Sequence, residues 1–211
     1  RVGTKRQGCL FYVRGIMSLL LWGLIVGHLF VAALAWPAQV TVLRVVTNQL
    51  NTLIRTSELD EFRIADSQVV VFNPPDPYSG LYPLMLRNFD GRSKPRSWWT
   101  ISFAPFAHRI TRTGEREMEV EVVDGEMLTS IMERLFRSSK RKIPVGYAME
   151  MNGMVVTVLE VGNTGPSRIR LEFEEIPESD RYQMLVFRDG RYRRLDIPLI
   201  GESIELPRGF L

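Results

Sequence analysis

Residues Ile16 to Trp36 read IMSLLLWGLIVGHLFVAALAW. They contain no Asp, Glu, Lys or Arg, and the uncharged run as a whole extends from Gly15 to Leu43. At about 1.5 Å rise per residue, roughly 21 residues of helix reach about 31 Å, which matches a bilayer's hydrocarbon core. Backbone polar groups in lipid must be satisfied within their own segment, so the stretch predicts a transmembrane helix over 15–36. Trp36 closes the run at the level where an interfacial tryptophan is favoured. The opposing reading is a cleaved secretory signal. Arg1, Lys5, Arg6 and Arg14 would form its basic region, and Ala33-Leu34-Ala35 has the small-x-small form of a cleavage site. The apolar core exceeds the roughly 7–15 residues of such signals, which favours a retained span.

The flanking charges set an orientation. Those same four basic residues, with no acid among them, precede the span as a basic flank over 1–14. On the far side only Arg44 and Arg55 come before Glu58, Asp60 and Glu61. The positive-inside rule then places the N-terminus in the cytoplasm and residues 37–211 outside it, in a cell-membrane protein. The chain opens on Arg1 rather than methionine, which reads as a fragment or a processed chain. Within the span, Gly23 and Gly27 form a GxxxG pair. Such a pair leaves a flat stripe where another helix can approach closely, although glycine is also common in membrane helices generally. His28 is the polar group of the run. It reads as a neutral histidine bonded to a neighbouring helix, or as an intramembrane ligand or proton carrier. The implied partners are the lipid bilayer and other transmembrane helices.

Beyond the span, Pro37 suits the first turn of a new helix. Val40, Leu43, Val46, Leu50, Leu53 and Ile54 then recur at helical spacing, which predicts an amphipathic helix over 37–59. A strand-rich region over 60–140 follows. Gln68 to Phe72 is β-branched and stops at Asn73-Pro74-Pro75-Asp76-Pro77, and Pro74 to Ser79 is the clearest break in the chain. Met118, Val120 and Val122 alternate with Glu117, Glu119 and Glu121, a half-buried strand whose acidic face reads as solvated, with a charge-protected sheet edge as the alternative. A short helix is expected near 126–137. Residues 141–211 read as a small antiparallel β module, with Asn152-Gly153 and Asp189-Gly190 as hairpin turns. The expected class is therefore a membrane-anchored α+β protein: one transmembrane helix, an amphipathic helix, and a mainly antiparallel β-rich domain with one short helix.

Composition narrows the function. The 211 residues carry 27 basic and 24 acidic side chains, a net charge of +3, which is too balanced for a dedicated nucleic-acid binder. One cysteine excludes an internal disulfide or a cysteine-rich zinc site, and two distant histidines, His28 and His108, do not suggest a metal centre. No P-loop, G-x-S-x-G, H-E-x-x-H or G-x-G-x-x-G pattern occurs. No residue is assigned a catalytic, cofactor-binding or metal-binding role, and no cofactor is implied. The densest basic cluster is Arg134, Arg137, Lys140, Arg141 and Lys142. It is either a solvated loop or a contact for anionic headgroups or a carboxylate partner. His108 reads as a strand-end histidine making an ordinary hydrogen bond. Of Trp98 and Trp99, at most one is free to serve as an exposed platform, because neighbours on a strand face opposite ways.

Asn73-Pro74-Pro75 resembles the Asn/Asp-Pro-Pro-aromatic motif of amino-methyltransferases, with Asp76 standing where that family has its aromatic. The stretch LYPLMLRNFDGRSKPRSWWTISFAPFAHRITR (81–112), with Val145 to Glu160 and Phe187-Arg188-Asp189-Gly190, resembles the C-terminal part of uncharacterised bacterial multi-spanning membrane proteins. That resemblance covers residues 38–206. It implies that the span is the last of several and that the β-rich tail is the extramembrane end; it carries over no catalytic residue. Two functions remain open. One is a non-catalytic extramembrane module in a binding, scaffolding or assembly role. The other is the C-terminal tail of a polytopic enzyme or transporter whose active site lies in further spans.

Overall fold

The computed structural model describes residues 4–138 and 142–208. Helix α1, Thr4–Arg55, is a single helix of 52 residues with Pro37 inside it. This corrects the expected pair of helices, a span over 15–36 and a separate amphipathic helix over 37–59. An interior proline costs about 3 kcal/mol through its missing N–H and its ring. The residues before it, Ala33-Leu34-Ala35-Trp36, supply no glycine or capping side chain that would end a helix. The helix therefore continues, and Thr41 Oγ1 donates to the Pro37 carbonyl one turn on (2.8 Å).

The chain divides into two compact units, Arg1–Gln49 and Leu50–Leu211. The first is the body of α1, which from Gly15 on is long and apolar enough to cross a membrane. Its large apolar side chains lie open: Leu19 is 75% exposed, Leu24 74% and Phe30 65%.

The second unit holds the last turn of α1 and all of the sheet structure. Strand β1 is Gln68–Val71, helix α2 Pro77–Phe89, β2 Ser97–Thr100, β3 His108–Arg112 and β4 Glu117–Val122. Helix α3, Ile131–Phe136, is followed by β5 Ala148–Met151, β6 Met154–Val161, β7 Pro166–Phe173, β8 Tyr182–Arg188, β9 Arg191–Arg194 and β10 Ser203–Leu206. They build two sheets. The smaller has the order β2-β1-β8-β9, the larger β10-β3-β4-β7-β6-β5. The larger sheet is antiparallel throughout. In the smaller one β1 runs parallel to both β2 and β8, and only β8–β9 is antiparallel.

The burial pattern explains this parallel trio. All four residues of β1 are buried, and β8 is buried along nearly its whole length. A strand covered on both faces reads as a continuous apolar run rather than an alternation, and Val69-Val70-Val71 is such a run. Val70, Met184 and Val186 face the larger sheet and share the main core with Met118, Val120 and Leu171. Val69, Val71, Leu185 and Phe187 face the other way, where Leu53 of α1, Ile64 and Tyr192 close a second core. Strands from both sides of the boundary expected near Lys140 pair in both sheets, β4 with β7 and β1 with β8. Residues 60–140 and 141–211 are thus one packed body rather than two modules.

Helix α2 occupies what the sequence presented as a break. Asp76 Oδ1 caps it, accepting from the N–H groups of Tyr78 (2.7 Å) and Ser79 (2.9 Å), and Pro77 takes the first position, where its missing N–H costs nothing. Gly80 lets α2 approach: a Cβ there would meet the Phe103 ring at 2.5 Å. The helix expected near 126–137 is confined to α3, because Leu128 takes a positive φ of 62° just ahead of the Ser130 cap.

Strand β4 is interior, so the acidic face is not an edge. Two of its glutamates, Glu119 and Glu121, are paired across the sheet, in a ladder of charges that also takes in Glu205 of β10 and Glu160 of β6. Arg109 reaches Glu121 (3.0 Å) and Glu205 (2.8 Å), Arg170 reaches Glu119 (3.4 Å), and Arg168 pairs with Glu160. Each such exposed pair is worth little alone, but opposite charges directly across a sheet also fix register.

Candidate functional site

The predicted basic cluster falls at and after α3. A reciprocal capping box starts that helix: Glu133 N donates to Ser130 Oγ (3.2 Å) and Ser130 N to Glu133 Oε2 (2.9 Å). Arg134 and Arg137 line one cavity of about 400 Å3 with Leu128, Ser138 and Thr164. Arg134 and Thr164 also line a neighbouring cavity with Phe106 and Glu126. Lys142 is exposed, while Lys140 and Arg141 lie outside the described residues. The Thr164 hydroxyl donates to Glu126 Oε2 (2.5 Å), so what this concavity offers a carboxylate or phosphate group is the positive charge of Arg134 and Arg137.

The wall of this site depends on Glu126, a residue to which the sequence assigned no role here. Its carboxylate accepts the backbone N–H groups of Asn163 (2.6 Å), Thr164 (2.8 Å) and Gly165 (2.7 Å), all in the β6–β7 turn. Met127 N donates to the Pro166 carbonyl at 2.7 Å. Partial burial works to raise the Glu126 pKa, but the bonds from Thr164, Asn163 and Gly165 outweigh it and hold the carboxyl below its usual range. The two turn glycines make room. A Cβ at Gly162 would sit 2.2 Å from Glu126 Oε1, and one at Gly165 2.1 Å from the Met127 carbonyl oxygen. Gly162-Asn163-Thr164-Gly165 was the available signal, a turn rich in free N–H donors. Replacing Glu126 with glutamine substitutes a donor-bearing amide for an all-acceptor group and should cost about 1.5–3 kcal/mol. Faster amide exchange over 126–137 and the β6–β7 turn, measured by mass spectrometry, is the expected readout. Unchanged exchange there contradicts the clamp.

The remaining candidates have structural roles. Asn73 bridges distant elements: its Oδ1 accepts from Phe187 N (2.8 Å), and its Nδ2 donates to the carbonyls of Phe187 (3.3 Å) and Pro207 (3.4 Å). With Asp76 capping α2, the Asn-Pro-Pro-Asp stretch is accounted for by packing. Trp98 is buried with its Nε1 donating to the Gly80 carbonyl (2.7 Å), and Trp99 packs on the main core, so neither is an open platform. His108 is fully buried, and neither ring nitrogen has a hydrogen-bond partner among the described residues, which corrects the expected ordinary hydrogen bond. Burial pushes its pKa down to about 4; the Phe106 backbone opposes the shift without making a well-aligned bond.

In the first unit, Gly23 and Gly27 lie four residues apart on α1, and a Cβ at either would meet nothing within 4 Å. His28 is exposed beside them. Among the described residues no group of three or more His, Cys, Asp or Glu side chains is placed to hold a metal ion. Family models, curated proteins and solved structures yield no match to this chain.

Proposed function

We propose that this chain is a membrane protein whose α1 helix anchors a β-rich module with a binding, scaffolding or assembly role. The observation that carries the reading is the open apolar surface of α1. Leu, Phe, Val and Trp side chains from Ile16 to Trp36 are exposed around the helix, with no charge among them. At about 25 cal/mol per Å2, leaving that surface in water is strongly unfavourable, whereas lipid covers it at no cost in hydrogen bonds. The basic flank before the span supports a cytoplasmic N-terminus with the module outside the cytoplasm. Gly23, Gly27 and His28 form the face on which other transmembrane helices pack. The module contributes a rigid two-sheet body, and the cavity beside Arg134 and Arg137 is its surface best suited to an anionic partner.

Reporter fusions at Leu211 test the topology. A reporter active only outside the cytoplasm should be active, and one active only in the cytoplasm silent. The reverse pattern overturns the orientation.

A further inference from the structure

The four edges that end the two sheets differ in protection. On β9, Glu58 N donates to the Tyr192 carbonyl (3.0 Å) and the Glu58 carboxylate accepts Arg194 N–H (3.1 Å). Strand β2 lies under α2, where Trp98 Nε1 (2.7 Å) and Thr100 Oγ1 (3.1 Å) both donate to the Gly80 carbonyl. Strand β10 is bounded by Glu202 and Pro207 and carries Glu205 paired to Arg109. Among the described residues, strand β5 has no such cover. Ala148, Met149 and Glu150 are exposed, and the strand contains no Lys, Arg or Pro, the usual blunting residues.

The pairing phase of β5 is fixed. Val158 N donates to the Tyr147 carbonyl (2.9 Å), and the register continues as Met149↔Val156 and Met151↔Met154. Antiparallel pairs alternate between bonded and non-bonded. Met149 and Met151 therefore spend their backbone groups on β6, Tyr147 gives β6 its carbonyl while its N–H donates to the Pro144 carbonyl (3.2 Å), and the backbone groups of Ala148 and Glu150 point to the open edge. The side chains alternate as well. Val158 and Met154 belong to the main core, and Val156 packs against it, so Tyr147, Met149 and Met151 lie on the core face. The six-stranded sheet is wider than the four-stranded sheet covering it, so this face runs out into solvent: Tyr147 is 50% exposed and Met149 47%.

We propose that β5 pairs antiparallel with β5 of a second copy of this chain, about a two-fold axis through Met149. In that register Ala148 and Glu150 of each copy exchange both backbone bonds with Glu150 and Ala148 of the other. Met149 stands against Met149, Tyr147 against Met151, and the strand's one charge, Glu150, faces Ala148. Neighbouring registers fit less well. Centring on Glu150 sets like charges directly opposite, which is unfavourable. Centring on Ala148 sets Glu150 against Gly146, whose N–H already donates to the Val158 carbonyl (2.8 Å). One short strand pair buries less than the roughly 1,200–2,000 Å2 of a stable interface. The pairing therefore rests on the anchored reading above, because confinement to a bilayer raises the effective concentration of the copies.

Single-cysteine cross-linking of the full chain in lipid vesicles, on a Cys9→Ser background, decides the matter. Met149→Cys places two thiol-bearing residues about 4.5 Å apart at Cα in a non-bonded pair, within disulfide reach. Tyr147→Cys places its own copies about 13 Å apart along the strands. Mild oxidation should give covalent dimers for Met149→Cys, none for Tyr147→Cys or for Ser203→Cys on β10, and heterodimers when Tyr147→Cys chains are mixed with Met151→Cys chains. Adding Ala148→Pro, which removes an outward N–H without touching a bond to β6, should abolish the Met149→Cys dimer. No dimer at Met149→Cys, or equal cross-linking at all positions, overturns the pairing. Flotation separates the two proposals. A chain that floats with the vesicles but does not cross-link overturns the pairing alone, and one that does not float overturns the anchor as well.

Discussion

Replacing Glu61 with alanine should cost the folded unit about 3–5 kcal/mol, the usual penalty for stranding a buried charge. The charge is Arg87. It is among the most buried side chains of the molecule, at 1% exposure, although it lies on α2 in a polar-looking stretch. Its Nη1 and Nη2 bind the two Glu61 oxygens at 2.9 and 2.5 Å, and its Nε donates to the Ser93 carbonyl (2.8 Å). Glu61 is shared with Arg92 at 2.5 Å, a partner that stays partly in water. The hydrogen bonds from Arg87 hold the Glu61 carboxyl below its usual range, against the opposing effect of partial burial. Removing the carboxylate leaves a fork of N–H donors with one carbonyl for company. Chemical denaturation should show the loss. A fall of less than about 1 kcal/mol would mean that Arg87 is solvated through another route. Pairing Glu61→Leu with Arg87→Met should recover most of the loss, since an apolar pair of similar volume often matches a buried ion pair.

The second large effect is a stability that drops in mild acid because of His108. The side chain is buried neutral at the start of β3, opposite Val122 on one side and Leu206 on the other. Its folded pKa of about 4 lies below the ordinary value of 6.5. Between these values the unfolded chain binds the proton and the folded chain does not, so stability falls as the pH falls through that window. Each pKa unit is worth about 1.4 kcal/mol, which makes the full loss about 3 kcal/mol, with the stabilising share present above pH 6.5. Carboxylates held low, such as Glu61 and Glu126, add their own acid sensitivity through lowered pKa values. The control that isolates the histidine is His108→Leu, which fills the site without a titrating group. The variant should unfold with a visibly flatter dependence between pH 6.5 and 4. An identical pH profile for both proteins would show that His108 is not buried neutral.

Local signals were the legible ones. The apolar run of α1 was plain in the sequence, as was the Met118-Val120-Val122 alternation of β4. The hairpin turns were equally plain, with Gly153 at φ 82° and Asp189 and Gly190 at 53° and 75°. Each rests on spacing or on the backbone tolerance of one or two residues. What was hidden depends on residues far apart. The parallel pairing of β1 with β8 joins residues such as Val70 and Met184, and no periodicity announces a parallel partner. Proline misled twice in opposite senses, starting α2 at Pro77 where a break was read, and leaving α1 intact at Pro37 where a new helix was read. Of the candidate site, Arg134 and Arg137 were visible as charge, but the Glu126 clamp that shapes their surroundings required knowing which turn lies beside it.

The proposed anchoring by α1 is read out by alkaline carbonate extraction of membranes from cells expressing the full chain. The protein should remain in the membrane pellet after extraction and leave it only on addition of detergent. Release into the supernatant by carbonate alone, or recovery of a chain whose N-terminus begins at Trp36, would contradict the anchor.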